Sequence, residues 1–239
     1  MVDKKRFITV FAKEFCKYII DTKNHSPNEA RQEVLTLIIF YALESTQTIF
    51  GDKEVLWCRF SMSDNEEYNV KAYLQDIRES KLKRKYNKSG SKSLIEFLLD
   101  FSITNRRLNN FLMGDIDQKI KILVGAESEF ANDQKKVCRD LLKLCLIDAQ
   151  LKVMIFGGIT KRQLKNWTKS IEATLKHDQH AESEYLILSI PRIKVWLGTH
   201  DSKDKPTLRL YTVGNTQKLE DITEDYWPKD CLPKSLSST

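Results

Sequence analysis

Phe7, Val10, Phe11, Phe15, Tyr18 and Ile19 recur three and four positions apart, which predicts an amphipathic helix over residues 4–22 with Lys5, Lys13 and Lys17 toward water. Ser26-Pro27-Asn28-Glu29 opens a second helix: a serine cap, a proline in the first turn and a glutamate three residues on form a capping box. Its middle, Val34 to Leu43, is apolar nearly all round and needs cover on several sides. From Glu54 to Met62 β-branched and aromatic residues predict a strand, and residues 66–80 suggest a short helix. Four apolar segments follow, Ile95 to Thr104, Lys119 to Phe130, Lys152 to Gly157 and Glu184 to Ile190. A helix over 133–149, capped by Asn132, separates the second from the third. Another, from the capping box Thr160-Lys161-Arg162-Gln163 to Lys176, separates the third from the fourth. Strand, helix, strand, helix, strand is the signature of parallel crossover units, so the core is expected to be α/β. Ile193 to Gly198 and Thr207 to Val213 would extend the sheet or form a hairpin beside it. The expected organisation is a helical segment over 1–52 packed on the core, the α/β core over 53–224, and a loose tail over 225–239 where proline, lysine and serine predominate.

Composition narrows the class. The 239 residues are 41% hydrophobic and 30% charged, as in one large or two small globular domains. The longest apolar run, Val34 to Leu43, falls short of the ~18 residues of a spanning helix. Lys13, Glu14 and Lys17 interrupt the N-terminal pattern where a signal peptide would be apolar, and the expected location is the cytoplasm. Cys16, Cys58, Cys138, Cys145 and Cys231 are odd in number and scattered, without CxxC pairs, and read as reduced, mostly buried thiols. The net charge of +6 permits an anionic partner without demanding one.

The candidate chemistry lies in Lys119-Ile-Lys-Ile-Leu-Val-Gly-Ala-Glu127-Ser-Glu129-Phe130. Strand side chains alternate, so Glu127 and Glu129 point the same way at the end of an apolar strand. Neighbouring carboxylates at a buried strand end repel unless protons or a cation compensate them, and Mg²⁺ suits a few carboxylate oxygens plus waters. Asp100, flanked by Leu98, Leu99 and Phe101, is costly to bury without a partner. If its segment is a strand beside that of Glu127, three carboxylates converge.

With these residues the chain resembles the PD-(D/E)xK superfamily of restriction-endonuclease-like nucleases over residues 53–190: Asp100 in Leu-Leu-Asp-Phe, Glu127 as the first position of E-x-K, the helix over 133–149, then the strand from Lys152. The chain departs from the motif at Glu129, where lysine is usual. The resemblance implies a mixed central sheet flanked by helices, with the two N-terminal helices packed on it. It implies phosphodiester hydrolysis, with Asp100, Glu127 and Glu129 binding Mg²⁺ or Mn²⁺ and Glu129 doubling as general base. Lys136 or Lys143, on the following helix, would replace the missing lysine. Double-stranded DNA would be the substrate, held by Lys81, Lys83, Arg84, Lys85 and Lys88 of a basic connection and by Arg106 and Arg107, and a homodimer is compatible with it. The alternative is a nuclease-like module that has lost its chemistry and binds nucleic acid or serves assembly.

Other readings stay open. Leu94, Leu98 and Phe101 also fall on one helical face, Glu127 and Glu129 also suit solvent-facing acids, and the basic stretch also suits a solvated loop. Asp115 and Asp117 are alternative acids but look like turn residues, while His177, Asp178 and His180 lie at a polar helix end where cations suit the dipole. No GxGxxG, GxxxxGK[ST] or GxSxG occurs.

Overall fold

The computed structural model of the chain describes residues 2–25, 32–50, 55–58, 99–104, 121–130, 133–159, 161–178, 180, 183–191, 209–213 and 218–228. Two helices, α1 (Lys4–His25) and α2 (Gln32–Thr46), precede strands β1 (Val55–Cys58), β2 (Phe101–Thr104) and β3 (Ile122–Glu129). Then α3 (Gln134–Leu146), β4 (Ala149–Ile159), α4 (Lys161–Leu175) and β5 (Glu184–Pro191) alternate, followed by β6 (Arg209–Val213), β7 (Leu219–Asp221) and the single turn α5 (Thr223–Tyr226). The strands form one mixed sheet in chain order. Its centre, β3 to β4 to β5, is parallel, as the alternation of strands and helices predicts, and the pairs on either side are antiparallel. Phe101–Thr104 is a strand rather than a helix, and Arg209–Val213 extends the sheet by pairing with β5.

Two layers of helix cover the sheet. Leu151, Val153 and Ile155 of β4 face the first layer, where Phe7, Phe11 and Phe15 of α1 pack with Ile38, Ile39 and Leu43 of α2. Met154 and Phe156 face the second, where Val137, Leu141 and Leu144 of α3 meet Leu164, Trp167 and Ile171 of α4. A strand covered on both faces needs apolar residues at consecutive positions, which explains the unbroken run Val153 to Phe156. On α1 the phenylalanines repeat every fourth residue and stack along one face, with ring centroids 6.1 and 5.7 Å apart. The two-sided apolar centre of α2 is buried from Ile38 to Leu43 wherever its side chains are described. Among the described residues no helix is long and apolar enough to cross a membrane.

Three expectations shift. The cap of α3 is Asp133 rather than Asn132: Asp133 has extended backbone and its carboxylate accepts from Lys135 N at 2.9 Å. Asp133→Ala is therefore expected to cost about 1 kcal/mol, read as a melting temperature about 2–4 °C lower for a chain of this size. The packed chain continues past residue 225, because Trp227 is 4% exposed and lies against Phe15 with centroids 5.9 Å apart. Cys16 is disulfide-bonded rather than a thiol, since spacing along a sequence does not reveal which cysteines meet in space. Cys138 and Cys145 are free thiols. The predicted capping box at 26–29, the helix over 66–80, the basic stretch over 78–92 and the strand over 193–198 lie outside the described residues.

Candidate active site

The apolar run of β3 ends in Glu127-Ser128-Glu129, at the carboxyl edge of the parallel strands. Val124 and Ala126 face the α1–α2 layer, so alternation turns Gly125, Glu127 and Glu129 toward α3 and α4. The fit at Gly125 is close: a Cβ would stand 2.6 Å from Ile147 Cδ1 and 2.9 Å from Leu99 Cδ1, so those two side-chain ends would have to shift. Glu127 pairs in register with Met154 of β4 and is 1% exposed, whereas Glu129, opposite Phe156, is half-buried.

Asp100 lies one residue before β2. The antiparallel register that pairs Phe101 with Ala126 brings it beside the end of β3, where its Oδ2 accepts from Ser128 N at 2.9 Å and Ser128 Oγ at 3.0 Å. Lys143 reaches in from the third turn of α3. Its Nζ is 2.9 Å from Asp140 Oδ1 and 3.2 Å from Glu127 Oε2. The other oxygen of Glu127, Oε1, is buried and has no hydrogen-bond partner among the described residues.

Asp100, Glu127 and Asp140 lie within electrostatic reach of one another; Lys143 stands between Glu127 and Asp140, and Arg139 Nε is 3.5 Å from Asp140 Oδ1. Burial, then the nearby Asp100 and more weakly Asp140, outweigh Lys143 and push Glu127 up to about 8. Burial draws Lys143 down, but its bonds to Asp140 and Glu127 prevail and hold it above its ordinary value. A carboxyl whose folded value is raised binds its proton more tightly in the folded chain, so its contribution to stability is full below about 4.5 and is lost as pH rises toward 8. Glu127→Gln is accordingly expected to gain stability relative to the parent protein across that window, by at most about 1.4 kcal/mol per pH unit. Urea denaturation at pH 5, 6.5 and 8 in chelator reads this, and a difference that does not grow with pH refutes it.

Asp100 thus lies close enough to Glu127 to raise its pKa, and of the two candidate lysines it is Lys143 that reaches Glu127. Lys136 is exposed and makes no ion pair with the described residues. Among the described residues no three His, Cys, Asp or Glu side chains group as a metal-holding set. Two carboxylates, one with an unpartnered buried oxygen, nevertheless fit Mg²⁺, which is often bound through one or two carboxylates and otherwise by water and substrate phosphate. Lys81, Lys83, Arg84, Lys85, Lys88, Arg106 and Arg107 lie outside the described residues.

The sequence pattern did not reveal a second polar cluster, behind the same helices. Lys152 of β4 is fully buried, and its Nζ lies 2.8 Å from Asp178 Oδ2, 3.5 Å from the Tyr185 hydroxyl and 5.2 Å from the centre of the Tyr185 ring. The Tyr185 hydroxyl donates to Asp178 and lies 3.4 Å from Cys145 Sγ. Lys152 was the available signal, as a charged residue inside a run that is otherwise apolar from Leu151 to Phe156. Compared with family models, with curated proteins and with solved structures, the chain matches none.

Proposed function

We propose that the protein is a Mg²⁺- or Mn²⁺-dependent nuclease of the PD-(D/E)xK type, with a restriction-endonuclease-like core, that hydrolyses phosphodiester bonds in double-stranded DNA. The observation that carries this reading is the state of Glu127: a buried carboxyl near Asp100, one oxygen 3.2 Å from a lysine of the following helix and the other without a partner among the described residues. A glutamate needed only for packing would not keep an oxygen buried and unpaired, because that forfeits the free energy of its hydration.

Asp100 and Glu127 would hold the metal, with Glu129 at the outer end of the same strand face toward the solvent-accessible side. When bound, the divalent ion supplies Lewis-acid polarisation of the phosphate and lowers the pKa of a water it holds. Ser128 fixes Asp100 through its amide and its hydroxyl, so one carboxylate is positioned before any ligand arrives. Lys143 takes the place of the E-x-K lysine, with its ammonium beside Glu127 and anchored by Asp140, where it can stabilise negative charge developing on a phosphate. Glu129 is the candidate base for the attacking water, being half-buried and on the same face.

The reading is tested by incubating plasmid and linear DNA with the purified protein in Mg²⁺, in Mn²⁺ and in chelator. Cutting that requires the metal is the expected result. A folded protein that binds DNA and cuts nothing would instead be a nuclease-like binding module.

A further inference from the structure

The outward face of the two crossover helices is strongly cationic. Lys135, Lys136 and Arg139 of α3 are exposed, as are Arg162, Lys165 and Lys169 of α4, and within each helix they recur three or four residues apart, about 5–6 Å on one surface. Gln134 of α3 hydrogen-bonds Ser170 of α4, which puts Lys169 level with the first turn of α3 and Lys165 and Arg162 beyond it toward the carboxyl edge of the sheet. The acids of this region are engaged. Asp133 caps its own helix, Asp140 is buried against Lys143 and lies 3.5 Å from Arg139 Nε, and Glu172 accepts from Leu219 N at 3.1 Å.

The placement of the cations also opposes the helices' own stability. Neither α3 nor α4 has an acid in its first turn, while Lys135 and Lys136 in one and Arg162 in the other stand where the helix dipole disfavours positive charge. Seven residues on from Lys136, along the same stripe, is Lys143, so the cationic row leads to Glu127. None of the exposed residues on these two helices is aromatic: Trp167 is buried against Phe156. Single-stranded nucleic acids are held largely by stacking on aromatic rings, whereas a duplex is held through its phosphates.

From this charge complementarity we infer that the face formed by Lys135, Lys136 and Arg139 of α3 with Arg162, Lys165 and Lys169 of α4 is a docking surface for the phosphate backbone of a nucleic-acid duplex. The surface deepens the proposed function and rests on it for what lies at the end of the row, the scissile strand at Glu127.

The test is fluorescence anisotropy with a labelled 30-base-pair DNA duplex, in chelator, over a range of salt concentrations. Three proteins are compared with the parent: K165E/K169E, K135E/R139E, and K5E/K13E as a control of equal charge change on the exposed side of α1, across the sheet. Each double variant on α3 or α4 is expected to bind at least ten times more weakly near 0.1 M salt and to lower the slope of log affinity against log salt by about 2, one phosphate contact being worth about 0.9. K5E/K13E is expected to stay within twofold. Equal weakening by the control, unchanged affinity in the α3 and α4 variants, tighter binding of the matching single strand, or displacement of the duplex by polyglutamate at equal charge would each overturn the surface. Patch-dependent binding by a protein that cuts nothing would sink the nuclease reading and keep the surface, while cutting by patch variants of undiminished affinity would do the reverse.

Discussion

Metal-dependent cleavage is expected to fall at least about a hundredfold in Glu127→Ala, since the charge stabilisation offered by a held divalent cation amounts to several kcal/mol and each ~1.4 kcal/mol is tenfold in rate. Glu127→Gln is expected to fall as far while remaining folded, because it removes a charge that the buried site accommodates poorly and keeps the shape of the side chain. The two lysines of α3 separate the chemistry from mere proximity of positive charge. Lys143→Ala should lose at least tenfold in cleavage, because Lys143 touches Glu127, whereas Lys136→Ala should leave turnover at saturating DNA within twofold, because Lys136 is an exposed residue away from both carboxylates. Rates measured in Mg²⁺ at saturating DNA decide this, and a fully active Glu127→Gln protein would remove Glu127 from the chemistry.

The parts of this site that could be read in the chain are those with local causes. Alternation along Ile122 to Glu129 was enough to put Glu127 and Glu129 on one face, and the parallel order β3, β4, β5 followed from two amphipathic helices spaced between three apolar runs. The strand register did the rest: pairing Phe101 with Ala126 is what sets Asp100 against the end of β3, and no periodicity states a register between segments more than twenty residues apart. The choice between Lys136 and Lys143 was equally invisible, because both lie on the polar stripe of α3 and the difference is the depth at which each turn meets the sheet. Trp227 shows the same limit from the other side. It sits in a stretch whose composition resembles a tail, yet its large ring is buried and packs against Phe15 of α1.

The second large effect is expected at Lys152, where a buried charge, rather than a reacting one, dominates. Lys152→Ala should cost about 3–5 kcal/mol of folding free energy, the usual consequence of leaving one member of a buried ion pair uncompensated, together with a cavity beneath the Tyr185 ring. Asp178→Ala should cost a similar amount, since it strands a fully buried ammonium whose remaining neighbour is a phenol 3.5 Å away. Burial works against the Asp178 carboxylate, but hydrogen bonds from Lys152, Tyr185 and the His180 amide prevail and hold it below its ordinary value. A depressed carboxyl contributes stability that is present above its unfolded value of 3.8 and is lost as pH falls through the folded one, so the cost of Asp178→Ala should shrink in acid. Removing both charges in Lys152→Ala/Asp178→Ala should cost clearly less than the two single changes added together, because no charge is then left buried alone. Urea denaturation of the four proteins closes this cycle, and strict additivity would show that the pair contributes through packing and not through charge. The same cluster explains why Tyr185 and Cys145 are poor candidates for chemistry: burial pushes both the phenol and the thiol up, and each is then held in its protonated form against α3 and α4, behind the strand face whose outer end carries Glu127.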